Sequence, residues 1–140
     1  MNQKIEPLNP EDIARVEAQR KWVREHFSPE TEHTYELLDK KLQLLDTIIK
    51  NRWIEPSETV KWQSLGITLG DVFVQKRGFN WVAVEDEYGR DPALQLPRTS
   101  ILLFPLTMIS KRIEREEEVD IYDLFEEVTK WIEEKRDHLQ

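Results

Sequence analysis

From Leu65 to Val74 only Thr68 and Asp71 are polar, and Gly66 and Gly70 are the only other residues that are not large and apolar. A helix that is apolar nearly all round has to be enclosed by other elements. This segment therefore sets the plan, a central helix with neighbours on most sides. The two glycines lie one turn apart on one face, where another element can approach the backbone closely, at about 1 kcal/mol each relative to alanine. Gly78, just after Lys76 and Arg77, is placed to cap the C-terminus.

The flanking sequence supplies the neighbours. Asn9-Pro10-Glu11-Asp12 is a helix start, and Ile13, Val16, Val23 and Phe27 recur at helical spacing up to the Ser28-Pro29 break. Tyr35, Leu38, Leu42, Leu45 and Ile49 form a second stripe, widened by Leu37, Leu44 and Ile48. It stops near Trp53, and Ser57 is the expected N-cap of the central helix. After Gly78 the period becomes two. Phe79 to Val84 reads as a strand covered on both faces, Asp86 to Asp91 as a turn with Gly89 at positive φ, Ala93 to Leu96 as a second strand, and Ile101 to Phe104 as a third. A short helix around Leu106, Ile109 and Ile113 follows. Asp120 then caps a final amphipathic helix with the face Ile121, Leu124, Phe125, Val128, Trp131 and Ile132. The expected fold is α+β: N-terminal helices and a buried central helix on a small three-stranded antiparallel sheet, closed by a C-terminal amphipathic helix. At 140 residues this is one domain, with a helical part over 1–56 and an α+β part over 57–140.

Composition excludes several chemistries. There is no cysteine, which removes thiolate metal sites and thiol nucleophiles and suits a reducing, cytoplasmic setting. Nothing reads as an export signal or a membrane span. The formal charge is -8, and from Lys111 to Gln140 six Lys or Arg face eleven Asp or Glu. That field repels nucleic acid and anionic membranes. His26, His33 and His138 form no metal-binding pair, so no metal is expected. With four glycines and no Lys-Ser/Thr after Gly66 to Asp71 there is no phosphate loop, and no cofactor is expected. No serine sits in a nucleophile elbow.

Two constellations stand out. Ser64, Thr68, Asp71 and Gln75 fall at i, i+4, i+7 and i+11 of the central helix, a polar stripe that is either its solvent-facing edge or a functional groove. A carboxylate between Gly70 and Val72 must reach water or find a cation, and Arg112, beside Lys111, is the expected partner. The acids Glu85, Asp86 and Glu87, beside Tyr88, read first as a solvated hairpin turn and second as carboxylates held for acid-base work. Among the five tryptophans, Trp81 and Trp131 sit on expected core faces. Trp53 and Trp62, around the Pro56 break, are candidates for an exposed contact patch.

Leu65-Gly66, Leu69-Gly70-Asp71, Trp81, Asp86-Glu87-Tyr88-Gly89, Phe104-Pro105, Ile109, Lys111-Arg112 and Leu124-Phe125 together resemble the bacterial domain of unknown function DUF3806, over roughly residues 65–125. The resemblance implies a small bacterial cytoplasmic domain and brings no reaction, cofactor or catalytic residue. The matched polar residues Asp71, Asp86, Glu87, Lys111 and Arg112 serve it equally well as structural ties or as a ligand site.

The reading that results is a non-enzymatic protein-interaction or accessory domain, contacting a protein partner or a second copy through the acidic C-terminal helix or the Trp53 to Trp62 corner. One version is an immunity-like protein that masks a basic toxin. The alternative is a small-molecule binder or hydrolase using the stripe around Asp71 beside the Asp86-Glu87-Tyr88 turn.

Overall fold

The computed structural model describes residues 3–138. The elements run β1 (Lys4–Pro7), α1 (Pro10–Arg24), a 3₁₀ turn (Glu32–Glu36), α2 (Leu38–Lys50), α3 (Thr59–Arg77), β2 (Asn80–Asp86), β3 (Gly89–Gln95), β4 (Leu102–Leu103), α4 (Pro105–Met108), α5 (Ser110–Glu114) and α6 (Ile121–His138). The class is α+β, as expected, and the C-terminal helix is present.

α3 is the centre. Every residue from Ser64 to Phe73 is buried, and the helix packs against α1, α2, α4 and α5. Its two interior glycines are required by what crosses them. A Cβ on Gly66 would lie 2.2 Å from the carbonyl oxygen of Pro105, and one on Gly70 would lie 2.6 Å from the Trp81 ring. The start of α4 and the indole of β2 thus sit directly on the α3 backbone, which joins the Leu-Gly, Leu-Gly-Asp, Trp81 and Phe-Pro segments into one packed joint. Gly78 ends α3 at φ 72°, donating its N–H to the Val74 carbonyl at 3.0 Å.

The sheet has four antiparallel strands in the order β1-β2-β3-β4, one more than expected. Lys4–Pro7 has a single apolar residue, Ile5, and therefore no alternation to read; pairing with β2, Ile5 opposite Val84, makes it a strand. The helical part over 1–56 accordingly also lends an edge to the sheet. β3 is also longer than expected and runs through Pro92. β4 pairs only with Leu94 and Gln95, so the β3 edge is open at Pro92, a position that tolerates the missing N–H. The turn shrinks to Glu87-Tyr88, with Gly89 at φ 129°. Ala83 and Val84 of β2 and Ala93 and Leu94 of β3 are buried in succession, so both faces are covered there.

Other expectations are corrected at the helix ends. Tyr35 lies in the 3₁₀ turn, before α2 begins. Ser57 is not the cap of α3. Glu58 takes that position without a side-chain cap bond, and its carboxylate accepts from the Glu55 N–H at 3.1 Å. Asn9 does cap α1, in a reciprocal box with Asp12 at 2.8 Å each way, and Asp120 accepts from the Tyr122 and Asp123 N–H groups at the start of α6. Ile13, expected on the core face of α1, is 53% exposed, and Trp131, expected on that of α6, is 40% exposed.

Candidate functional site

The polar stripe of α3 is neither a solvent-facing edge nor an open groove. Ser64, Thr68 and Asp71 are buried, Gln75 is exposed, and the stripe faces α1, the 3₁₀ turn and the start of α2. Asp71 is its hub. Arg20 of α1 grips it side-on, with Nε on Oδ2 at 2.7 Å and Nη2 on Oδ1 at 2.8 Å. The Tyr35 hydroxyl donates to Oδ2 at 2.7 Å and the Trp81 indole N–H to Oδ1 at 3.0 Å. Each carboxylate oxygen thus accepts two hydrogen bonds, and a carboxylate has room for about four in all. Because the Tyr35 proton is committed to Asp71, the Thr68 hydroxyl must donate to Tyr35 across their 3.0 Å contact.

Arg112 is not the cation at Asp71. It lies on α5 and pairs with Glu127 at 3.3 Å and Glu117 at 3.7 Å, tying α5 to α6. Arg20 was missed because it belongs to a helix of low average hydropathy. One signal was available: Val16, Arg20 and Val23 follow an i, i+4, i+7 pattern, so the guanidinium lies on the face that buries the two valines.

Further along the stripe, Gln75 accepts from the Lys41 ammonium and donates to the Glu36 carbonyl at 2.7 Å. Lys41 is buried, and its ammonium stands 4.9 Å from the Tyr35 ring centre. Ser64 bonds back to the Val60 carbonyl of its own helix at 3.0 Å. Burial lowers the Lys41 pKa, opposed by the Asp71 charge. Burial also raises the Tyr35 pKa, helped by the same charge. Burial works against the Arg20 cation, but the bonds to Asp71 outweigh it and the pKa is raised. Chemically this is a closed tie: the carboxylate has no open acceptor position and no hydroxyl proton is free to leave.

The turn residues lie elsewhere. Asp86, Glu87 and Tyr88 are exposed at the far end of β2 from Trp81, and Tyr88 is 90% exposed. Six residues at about 3.3 Å each put Glu87 about 20 Å along the strand from Trp81, so the turn and Asp71 share no pocket. Asp86 accepts from the Tyr88 N–H at 2.8 Å, which shapes the turn. Lys111 is exposed on α5. Among the described residues no group of three or more His, Asp or Glu side chains is arranged to hold a metal ion, and no helix is long and apolar enough to cross a membrane.

The two surfaces expected to make contacts meet at one groove. A concavity of about 850 Å³ runs between the α2–α3 corner and the α5–α6 segment. Its floor is Ile49, Ile54, Trp62, Ile113, Val119 and Leu124, and its rim carries Glu55, Glu117, Glu118, Asp120, Asp123 and Glu127 against Lys50, Arg52 and Arg112. Trp62 is therefore no exposed patch residue. It is 5% exposed, part of the floor, and its N–H donates to the Glu55 carbonyl at 3.0 Å. Trp53 is 54% exposed beside the corner, stacked on His26 with ring centres 6.1 Å apart.

Comparison with known proteins bears on family and fold. A crystal structure from Bacteroides thetaiotaomicron VPI-5482 matches 92% of this chain with a TM-score of 0.76 at 15% identity, a likeness that shows the fold alone. This chain spans 48% of that longer one. No curated protein matches. The family described as Domain of unknown function (DUF3806) matches residues 41–125, which extends the resemblance upstream to the first turn of α2. Lys41, Thr68, Asp71, Gln75 and Trp81 lie inside that match, and Arg20 and Tyr35 precede it. This chain belongs to the DUF3806 family.

Proposed function

We propose that this is a non-enzymatic protein-interaction or accessory domain of the bacterial cytoplasm, and that its binding face is the groove between the α2–α3 corner and α6. The observation that carries the reading is the groove's construction, an apolar floor under a rim with six carboxylates and three cations. Lys50 and Arg112 already have carboxylate partners, Asp46 and Glu117 with Glu127. Glu55, Glu118, Asp120 and Asp123 carry no ion pair among the described residues, against one unpaired cation, Arg52, so the uncompensated charge at the rim is negative. A polypeptide presenting lysine or arginine beside aliphatic side chains fits that pattern, burying apolar area on the floor while its cations meet the rim. An immunity-like role, masking a basic surface, is the version with the strongest electrostatic rationale. A second copy of the chain shares the same net charge and is disfavoured at low salt.

The rival reading, a small-molecule binder or hydrolase centred on Asp71, lacks geometric support. General-base work needs a carboxylate with an acceptor position within reach of substrate, and here all four are filled by protein donors.

The test is affinity capture from host lysate with the wild-type chain and with a variant carrying Glu118→Lys and Asp123→Lys, each at low and moderate salt. Partners retained by the wild type, lost from the variant and weakened by salt are the expected outcome. Equal capture by both chains would overturn the reading.

A further inference from the structure

α1 holds its place through a narrow apolar face: Val16 packs on Ile67 and Leu106, Val23 lies in the main core, and Trp22 packs against that core. Of its 15 residues only Val16, Gln19 and Val23 are buried, and the buried Oε1 of Gln19 has no hydrogen-bond partner among the described residues. In place of a broad apolar face it has two arginine–carboxylate clamps that run in opposite senses. Arg20 of α1 grips Asp71 of α3. Arg90 of β3 grips Asp12 at the start of α1, at 2.8 Å, and Glu6 of β1, at 2.7 Å. The link to the next element, residues 25–31, is a run of turns and bends that contains Pro29.

We infer that β1 and α1 form an arm that detaches as one unit while the remainder stays folded, and that its departure uncovers a binding site for an arginine-bearing helix with a narrow apolar face, which α1 fills in cis. The inference is independent of the groove. The floor of the uncovered site is the surface that Val16 covers, made by Ile67, Leu106 and Trp81. Its polar end is Asp71, and two of the donors that orient that carboxylate, Tyr35 and Trp81, belong to elements that stay. Trp81 is seated on the bare backbone of Gly70, so its N–H is aimed at Asp71 by packing and not by Arg20. The family match covers Ile67, Asp71, Trp81 and Leu106 and none of the arm. The recognised ligand is a guanidinium flanked by small apolar residues four positions before and three after, as Val16, Arg20 and Val23 are here. Lysine would not serve, since a point charge cannot make the two parallel bonds that Asp71 accepts.

Segment-resolved hydrogen exchange on the full chain at neutral pH tests the arm. The amides of Ile5, Glu6 and Val16–Arg24 should exchange through a shared opening, about a hundredfold or more as frequent as the one that exposes Leu65–Val74. Asp71→Asn, on α3, should speed exchange at Ile5 and at Val23 by the same factor, and Arg90→Gln, on β3, should do the same, while α2 and α6 still exchange through rarer openings. Should Asp71→Asn fail to fold, Arg20→Lys gives the same comparison. One opening common to α1 and α3, or variants that each affect only their own neighbours, overturns the arm.

The site is tested with full-length Arg20→Ala and a synthetic peptide of residues 9–27. The wild-type peptide should restore slow exchange of the Trp81 indole N–H, whose ring packs against Val16 in the closed form, and the same peptide with Arg20→Lys should not. Restoration by both peptides, or by neither, overturns the site.

Discussion

Asp71→Asn is the substitution whose cost follows most directly from geometry. Four donors converge on the carboxylate: two N–H groups of Arg20, the Tyr35 hydroxyl and the Trp81 indole. An asparagine offers one oxygen to them and turns an amide nitrogen, itself a donor, toward the rest. The Arg20 charge then loses its bidentate partner and keeps only Glu17, whose side chain is half exposed. Removing one partner of a fully buried pair costs about 3–5 kcal/mol. Here the two side chains retain 21% and 12% exposure, so water offsets part of the loss and the expected cost is about 2–4 kcal/mol. For a chain of this size that lowers the midpoint of thermal unfolding by roughly 5–15 °C. Urea unfolding followed by tryptophan fluorescence measures it, with an unchanged denaturant slope as the sign that the native state stays compact. A double-mutant cycle with Arg20→Gln should give a coupling of about 1 kcal/mol or more, and a cycle with Arg112→Gln none. A loss below about 1 kcal/mol for Asp71→Asn, or coupling to Arg112, would refute the closed-tie account.

Other outcomes follow from the same contacts. Gly66→Ala drives a Cβ into the Pro105 carbonyl and should destabilise by about 2 kcal/mol or more, read by urea unfolding. Gly70→Ala meets the Trp81 ring and should alter the near-ultraviolet circular dichroism while leaving the far-ultraviolet spectrum intact. The Asp12 pKa is held below the usual carboxylate range, chiefly by its hydrogen bonds to Arg90. A depressed carboxylate contributes stability that is full above its unfolded pKa near 3.8 and is lost as pH falls below that toward the folded value. The acid limb of a stability–pH profile should therefore flatten in Arg90→Gln. Lys41, whose pKa burial pushes down, is an ammonium ion with one carboxamide acceptor, and Lys41→Met should be neutral or stabilising by about 1 kcal/mol at pH 7. Loss of more than about 1 kcal/mol in that variant would show that its contacts to Gln75 and Tyr35 outweigh its desolvation.

What could be read in advance tracks how locally each feature is determined. The central helix was legible because its burial is written in consecutive residues, and the Gly66 and Gly70 approaches because a glycine in such a helix needs a reason. That Asp71 requires a cation also follows from its apolar neighbours alone. Which cation does not, because Arg20 is 51 positions away and arrives only when α1 docks. Arg112 lies nearer along the chain and is instead consumed by Glu117 and Glu127. β1 was illegible for the same reason in a different form. Lys4–Pro7 has no strand pattern of its own, and its conformation is imposed by the β2 edge. Lys41 stands between Leu38 and Leu44 in an apolar stripe, a placement that marks a buried cation in the sequence, yet its acceptor on α3 becomes visible only in the fold.

The interaction account rests on where a partner sits. Once a protein has been captured, hydrogen exchange on the complex locates it. The account expects new protection confined to the groove walls, residues 49–62 and 112–127, and weakened when Glu118 and Asp123 are replaced by lysine. Protection centred on Thr68–Gln75 or on the Glu87-Tyr88 turn, with the groove unchanged, would contradict it.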